Sequence, residues 1–174
     1  LNKIKKISKK IEEYAGNEEY RGVVTGLNEA FVIDEKTKEL LVNNNPKCID
    51  IIKPYLDGKD VARYGIKSRN RFLIFTRRGI DIKKYPAVES YLRKFKVDLT
   101  PKKNRTEDRG RKPGKYKWYE IQDSTAYFEE FEKKKIIYGR IITRPRFVID
   151  YDGFYVSAAN SIIHRPEKKN NCNI

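Results

Sequence analysis

A chain of 174 residues with 39% hydrophobic and 12% aromatic residues can bury one proper core, which argues against a disordered segment. Its 39 Lys and Arg against 24 Asp and Glu leave a formal charge of +15, more than solubility needs, so polyanions are the expected partners: nucleic acid first, an anionic membrane surface second. Cys48 and Cys172 lie far apart with no C-x-x-C pair, and His164 is the only histidine, which argues against a disulfide framework, a cysteine zinc site or a histidine metal cluster.

No apolar run approaches membrane-spanning length and no signal-peptide core appears, so a cytoplasmic protein is expected. The chain opens with Ile4, Ile7, Ile11 and Tyr14, an apolar helical stripe ringed by Lys3, Lys5, Lys6, Lys9 and Lys10. A docked helix, a connector from an upstream domain and a membrane-surface helix are all open to it. Its apolar face lacks Phe and Trp, which favours the connector. The start at Leu1 and the lack of Met lead to the expectation of a fragment of a longer protein.

Residues 21–34 (RGVVTGLNEAFVID) read as a β-rich entry bent around a turn at Gly26 and Asn28. Residues 35–38 read as a turn and 40–42 as extended. Asn43 to Asn45 form a loop, and Pro46 opens a short helix through Ile49, Ile51 and Ile52. Asp57-Gly58 is a turn, and residues 71–76 (RFLIFT) are a buried strand. Pro86 starts the clearest helix, with Val88, Tyr91, Leu92 and Phe95 on one core-facing stripe. Residues 100–117 form a long basic loop broken by Gly110, Pro113 and Gly114, and the only tryptophan follows at Trp118. Tyr127, Phe128 and Phe131 suit a short helix, and residues 135–142 (KIIYGRII) a strand. Asp152-Gly153 between extended runs 146–151 and 154–157 predicts a hairpin. A last strand covers residues 161–164, with His164 a polar strand residue, and a polar tail fills 166–174.

The basic loop carries Lys102, Lys103, Arg105, Arg109, Arg111, Lys112, Lys115 and Lys117, opposed only by Glu107 and Asp108. Arginine presents a planar fork of donors that suits phosphate oxygens or a guanine edge, and lysine a mobile point charge. Arg140, Arg144 and Arg146, around the rigid Pro145, form a second candidate set. Lys59, Arg63, Arg69 and Arg71 form a third, for which surface ion pairing is the better reading of each residue.

Catalytic signatures are weak. Glu132-Lys133-Lys134 matches the end of a metal-dependent nuclease pattern without an acidic partner upstream, and Asn45-Pro46-Lys47 is no Asn-Pro-Pro-aromatic motif. A stand-alone nuclease using Glu132 and a divalent metal, and a basic protein binding anionic lipid through the first helix, remain the alternatives.

TGLNEAFVID (25–34), IIKPYLDGKDVARY (51–64), FLIFT (72–76), KKYPAVESYL (83–92), KWYEI (117–121), KKIIYGRI (134–141) and RFVIDYDGFY (146–155) follow one another in an order that resembles the Taq-type C-terminal specificity domain, or target recognition domain. Such domains occur in adenine-specific DNA methyltransferases and type IIG restriction–modification enzymes. The resemblance covers about residues 21–165.

It implies an α+β fold with a twisted, mainly antiparallel sheet and a few helices. Residues 1–20 would be the connector from an upstream methyltransferase domain, residues 21–165 the target recognition domain and residues 166–174 a tail. The upstream domain would bind S-adenosylmethionine, carry an Asn-Pro-Pro-Tyr motif and receive the flipped adenine. The chain itself would bind double-stranded DNA without doing chemistry and hold no cofactor. Methylation, and cleavage with Mg where it occurs, would belong to the parent, a restriction–modification or phage-defence enzyme. Gly26, Asn28, Pro54, Gly58 and Tyr64 look architectural on this resemblance, as turn and packing residues. Base-reading residues are not carried over from the family, so the two basic sets stand as the DNA-binding candidates on charge and rigidity.

Overall fold

The computed structural model describes residues 7–8, 19–104, 106–123, 126–140 and 142–164. Apart from Ile7 and Ser8, the connector helix expected over residues 2–14 lies outside these residues, as does the tail at 166–174. Strand β1 (Glu19–Arg21) already belongs to the folded body, so the connector expected over residues 1–20 overlaps the first strand.

Gly26, at φ 81°, turns the chain into α1 (Asn28–Phe31), a single helical turn that buries Ala30 and Phe31. The extended reading of this stretch holds for Arg21 in β1, for Val23 in a bridge to Ser157 and for β2 (Val32–Asp34), but not for Ala30 and Phe31. Asp34 then caps α2 (Glu35–Asn44), its carboxylate accepting the Thr37 amide at 2.8 Å. That cap recruits the polar residues 35–38 into a first helical turn, so Leu40 to Val42 are helical rather than extended. Pro46 opens a 3-10 helix (Pro46–Ile51) that leads into β3 (Ile52–Leu56). A small ribbon of β4 (Val61–Ala62) and β5 (Gly65–Ile66) precedes β6 (Arg71–Ile74). Pro86 takes a first-turn position of α3 (Pro86–Arg93), which buries Val88 and Leu92, and α4 (Lys96–Leu99) follows.

A 3-10 turn at Phe128–Phe131 introduces β7 (Lys135–Gly139) and β8 (Phe147–Asp150), then β9 (Tyr155–Val156) and β10 (Asn160–Ile163). His164, just past β10, holds its Nε2 3.1 Å from Glu130. The predicted Asp152-Gly153 hairpin does not form. β8 pairs antiparallel with β7, whereas β9 pairs parallel with β3 in another sheet. The cause is Asp150, whose buried carboxylate binds the Lys135 ammonium and also accepts the Asp152 and Phe154 amides, each at 2.9 Å. Those bonds hold a reversal, with Gly153 at φ 73°, that sends the chain across to the second sheet.

The result is an α+β fold with two four-stranded sheets, ordered β1-β10-β7-β8 and β2-β6-β3-β9, rather than one. Pairing is antiparallel except for β3 with β9 and the bridge joining Val23 to Ser157, apart from the isolated Pro101–Arg111 contact. One apolar core serves both sheets and includes Phe31, Leu73, Ile137, Tyr155 and Ile162. Tyr155 packs against Phe75 and Phe131 with ring centroids 4.9 and 5.0 Å apart. Helices α2 and α3 pack on each other, and α2 covers β2 and β6.

Candidate nucleic-acid interface

The basic loop at residues 100–117 has no regular structure, but it is anchored. Gly110, at φ 109°, lets the chain approach Thr100, and Pro101 bridges to Arg111. Arg111 then turns inward. Its guanidinium donates to the carbonyls of Leu99 (2.7 Å), Thr25 (2.8 Å), Trp118 (3.0 Å) and Lys117 (3.3 Å), and it lies over the Tyr116 and Phe31 rings at 4.6 and 5.4 Å. At 3% exposure it cannot reach DNA, which corrects its assignment as a DNA-binding residue. Burial pushes its pKa down to about 10, opposed by Tyr116 and Glu120. The charge is kept because four carbonyl dipoles replace water around it.

The other loop cations have different fates. Arg109 is exposed but locked onto Asp98 by a bidentate ion pair at 2.9 and 3.0 Å. Lys102 is half-buried, its ammonium 3.4 Å from the Asp108 carbonyl. Lys103, Lys112, Lys115 and Lys117 are exposed and, among the described residues, form no ion pair. Arg105 lies outside the described residues.

Arg140, Arg144 and Arg146 all fall on the exposed connection between β7 and β8, and none of them ion-pairs among the described residues. Pro145 stiffens the segment, and the Arg140 amide ties it to Ala159 at 2.9 Å. The structure adds a neighbour that the sequence did not mark: the Tyr64 amide donates to the Phe147 carbonyl at 3.1 Å, which brings the tip of the β4–β5 ribbon beside this connection. Tyr64, expected to be architectural, is 77% exposed, with Arg63 5.2 Å from its ring centroid. A local clue was available, since Arg63 and Tyr64 are a two-residue link ahead of a glycine.

Ion pairing, expected for each residue of the third basic set, holds for Arg69 and Arg71 but, among the described residues, not for Lys59 or Arg63. Arg69 and Arg71 are spent on Asp57 and the buried Asp60, with Nε of Arg69 2.6 Å from Asp60 and Arg71 2.7 Å from Asp57. Partial burial works to raise the Asp57 pKa, but hydrogen bonding from Arg71 and the Lys59 amide holds it below the ordinary carboxylate value. This network makes the 57–60 turn rigid and leaves Lys59 on its exposed side.

A recess of about 600 Å³ is lined by Tyr55 and by residues 23–29, 57–59 and 157–159. Arg111 borders it through the Thr25 carbonyl, and Arg140 through Ala159. Thr25 donates to Asn28 Oδ1 at 2.6 Å and accepts the Leu27 amide at 3.2 Å, which fixes the rim. One wall of the recess is thus bonded to the basic loop and another to the β7–β8 connection.

Glu132, on which the nuclease alternative rests, is engaged by Lys53 at 2.8 Å and the Tyr155 hydroxyl at 3.1 Å. The Lys53 bond holds its pKa below the usual value despite some opposing burial. Among the described residues no group of three or more His, Cys, Asp or Glu is placed to hold a metal ion, and no helix is long and apolar enough to cross a membrane.

A family model described as the TaqI-like C-terminal specificity domain matches residues 53–174. No curated protein matches the chain. Among solved structures, the Type IIL restriction-modification enzyme MmeI in complex with DNA is similar at 15% identity with a TM-score of 0.48. That similarity covers 83% of this chain, which spans 19% of the MmeI chain.

Proposed function

Because the chain belongs to the TaqI-like C-terminal specificity-domain family, we propose that it is the DNA-recognition module of a restriction–modification enzyme. The observation that carries this reading is the set of exposed cations that form no ion pair among the described residues, Lys103, Lys112, Lys115 and Lys117 on the 100–117 loop and Arg140, Arg144 and Arg146 on the β7–β8 connection, on two segments each bonded to a wall of one recess. Phosphate contacts by such cations position a duplex on the chain. Arg109 serves only once its bond to Asp98 is exchanged for phosphate, and Lys102 and Arg105 complete the loop's contribution.

The parent enzyme carries, on this proposal, an upstream methyltransferase domain that uses S-adenosylmethionine and receives the target adenine after it leaves the base stack. That cofactor, and Mg where the parent cleaves, belong to the parent, and no residue of this chain is assigned to either. The setting is cytoplasmic, the role phage defence.

Fluorescence anisotropy with a labelled duplex of about 20 base pairs, two helical turns, tests the reading. Affinity should fall steeply with salt, with a log–log slope of about −0.9 for each phosphate contacted. Changing Arg144 and Arg146 together to alanine should make that slope shallower by about 1 to 2. A chain that binds no duplex at low salt would refute the proposal.

A further inference from the structure

Tyr64 is costly where it stands. It is the second residue of the two-residue link between β4 and β5, whose register pairs Val61 with Ile66 and Ala62 with Gly65. Its φ is 65°, a left-handed backbone that glycine or asparagine adopts readily and a bulky side chain does not. Asn70, the other described non-glycine residue with positive φ, is a type that tolerates it. Tyr64 is 77% exposed and takes no part in the apolar core, so its side chain contributes no burial against the strain. The conformation is nevertheless imposed, because the Tyr64 amide is bonded to the Phe147 carbonyl at the start of β8. Strain that persists at an exposed aromatic, beside the connection that carries Arg140, Arg144 and Arg146, points outward to a ligand.

We infer, resting on the DNA-binding reading above, that the Arg63–Tyr64 tip enters the major groove of the bound duplex and that Tyr64 is a specificity-determining residue. A two-stranded ribbon is narrow enough for that groove. The tyrosine ring makes apolar contact with a base edge, of which the thymine methyl is the fitting partner. Arg63, 5.2 Å from the ring centroid, packs over the ring and adds a donor fork beside it. Arg140, Arg144 and Arg146 grip the phosphates on the same side.

The test compares the 174-residue wild type with Tyr64→Gly and Tyr64→Phe, by thermal melting, by affinity for a randomised duplex pool, and by sequencing of the duplexes each protein selects. Tyr64→Gly should raise Tm by about 2–4 °C, since glycine relieves the left-handed strain. It should also weaken binding to the duplexes selected by the wild type by about tenfold, with the salt slope unchanged, because an apolar contact releases no counterions. Its selected sequences should lose preference at one position. Tyr64→Phe should keep the wild-type preference. A structural role would move stability and binding in the same direction. If the wild type binds and Tyr64→Gly selects the same sequences with the same affinity, this inference is overturned while the DNA-binding reading stands. A wild type that binds no duplex overturns that reading and the inference with it.

Discussion

Replacing Arg111 by methionine keeps a long apolar stem and removes the guanidinium that joins the 25–27 turn, the end of α4 and the 117–118 turn. Of its four acceptors, the Thr25 carbonyl keeps the Gln122 amide at 3.3 Å and the Lys117 carbonyl keeps the Glu120 amide at 3.0 Å. The Leu99 and Trp118 carbonyls lose their donor. Each buried carbonyl left without a donor costs about 1–3 kcal/mol, so the direct loss is about 2–6 kcal/mol. Removing a buried charge offsets part of this, because burial already disfavours the charged form enough to bring the pKa down to about 10. A net loss of about 2–4 kcal/mol follows, equivalent to a fall in Tm of about 10 °C for a domain of this size. Thermal melting checks the magnitude. Limited trypsin digestion checks the mechanism, since a released 100–117 loop offers many Lys and Arg sites that should be cut faster than in the wild type. A variant that melts within about 2 °C of the wild type and shows the same tryptic pattern would mean that Arg111 does not anchor the loop.

Lys135→Met should destabilise the fold by about 3 kcal/mol, because it leaves the buried Asp150 carboxylate without its cation while two amides still support it. Adding Asp150→Asn should recover part of that loss, and equal stability of the single and double variants in urea melts would refute the coupling. Glu132 has a folded pKa below its unfolded value, so its pairing with Lys53 contributes stability above the ordinary carboxylate pKa, and that contribution is lost as pH falls through the folded value. Lys53→Met should move the Glu132 carboxyl titration, followed by NMR, back up toward 4.5, and an unmoved midpoint would show that Lys53 is not the cause.

What the sequence determined by itself was local or summed. The Pro86 helix is legible because its proline start and its apolar spacing act within one element, and the RFLI strand because its residue types demand burial. The charge of +15 needs no geometry to predict a polyanion partner. Tertiary structure decided wherever an outcome depended on partners distant in the chain. Arg111 and Arg144 are the same residue type in similarly basic stretches, yet one is buried because carbonyls as far away as Thr25 surround it, and the other stays exposed. The Asp152-Gly153 turn lost its hairpin to a Lys135–Asp150 pair buried between elements, and Tyr64 became an exposed tip because Phe147 holds its backbone. Side-chain chemistry states what a residue can bond, but desolvation and the available partners choose among those bonds, and both are set by which segments the folded chain brings together.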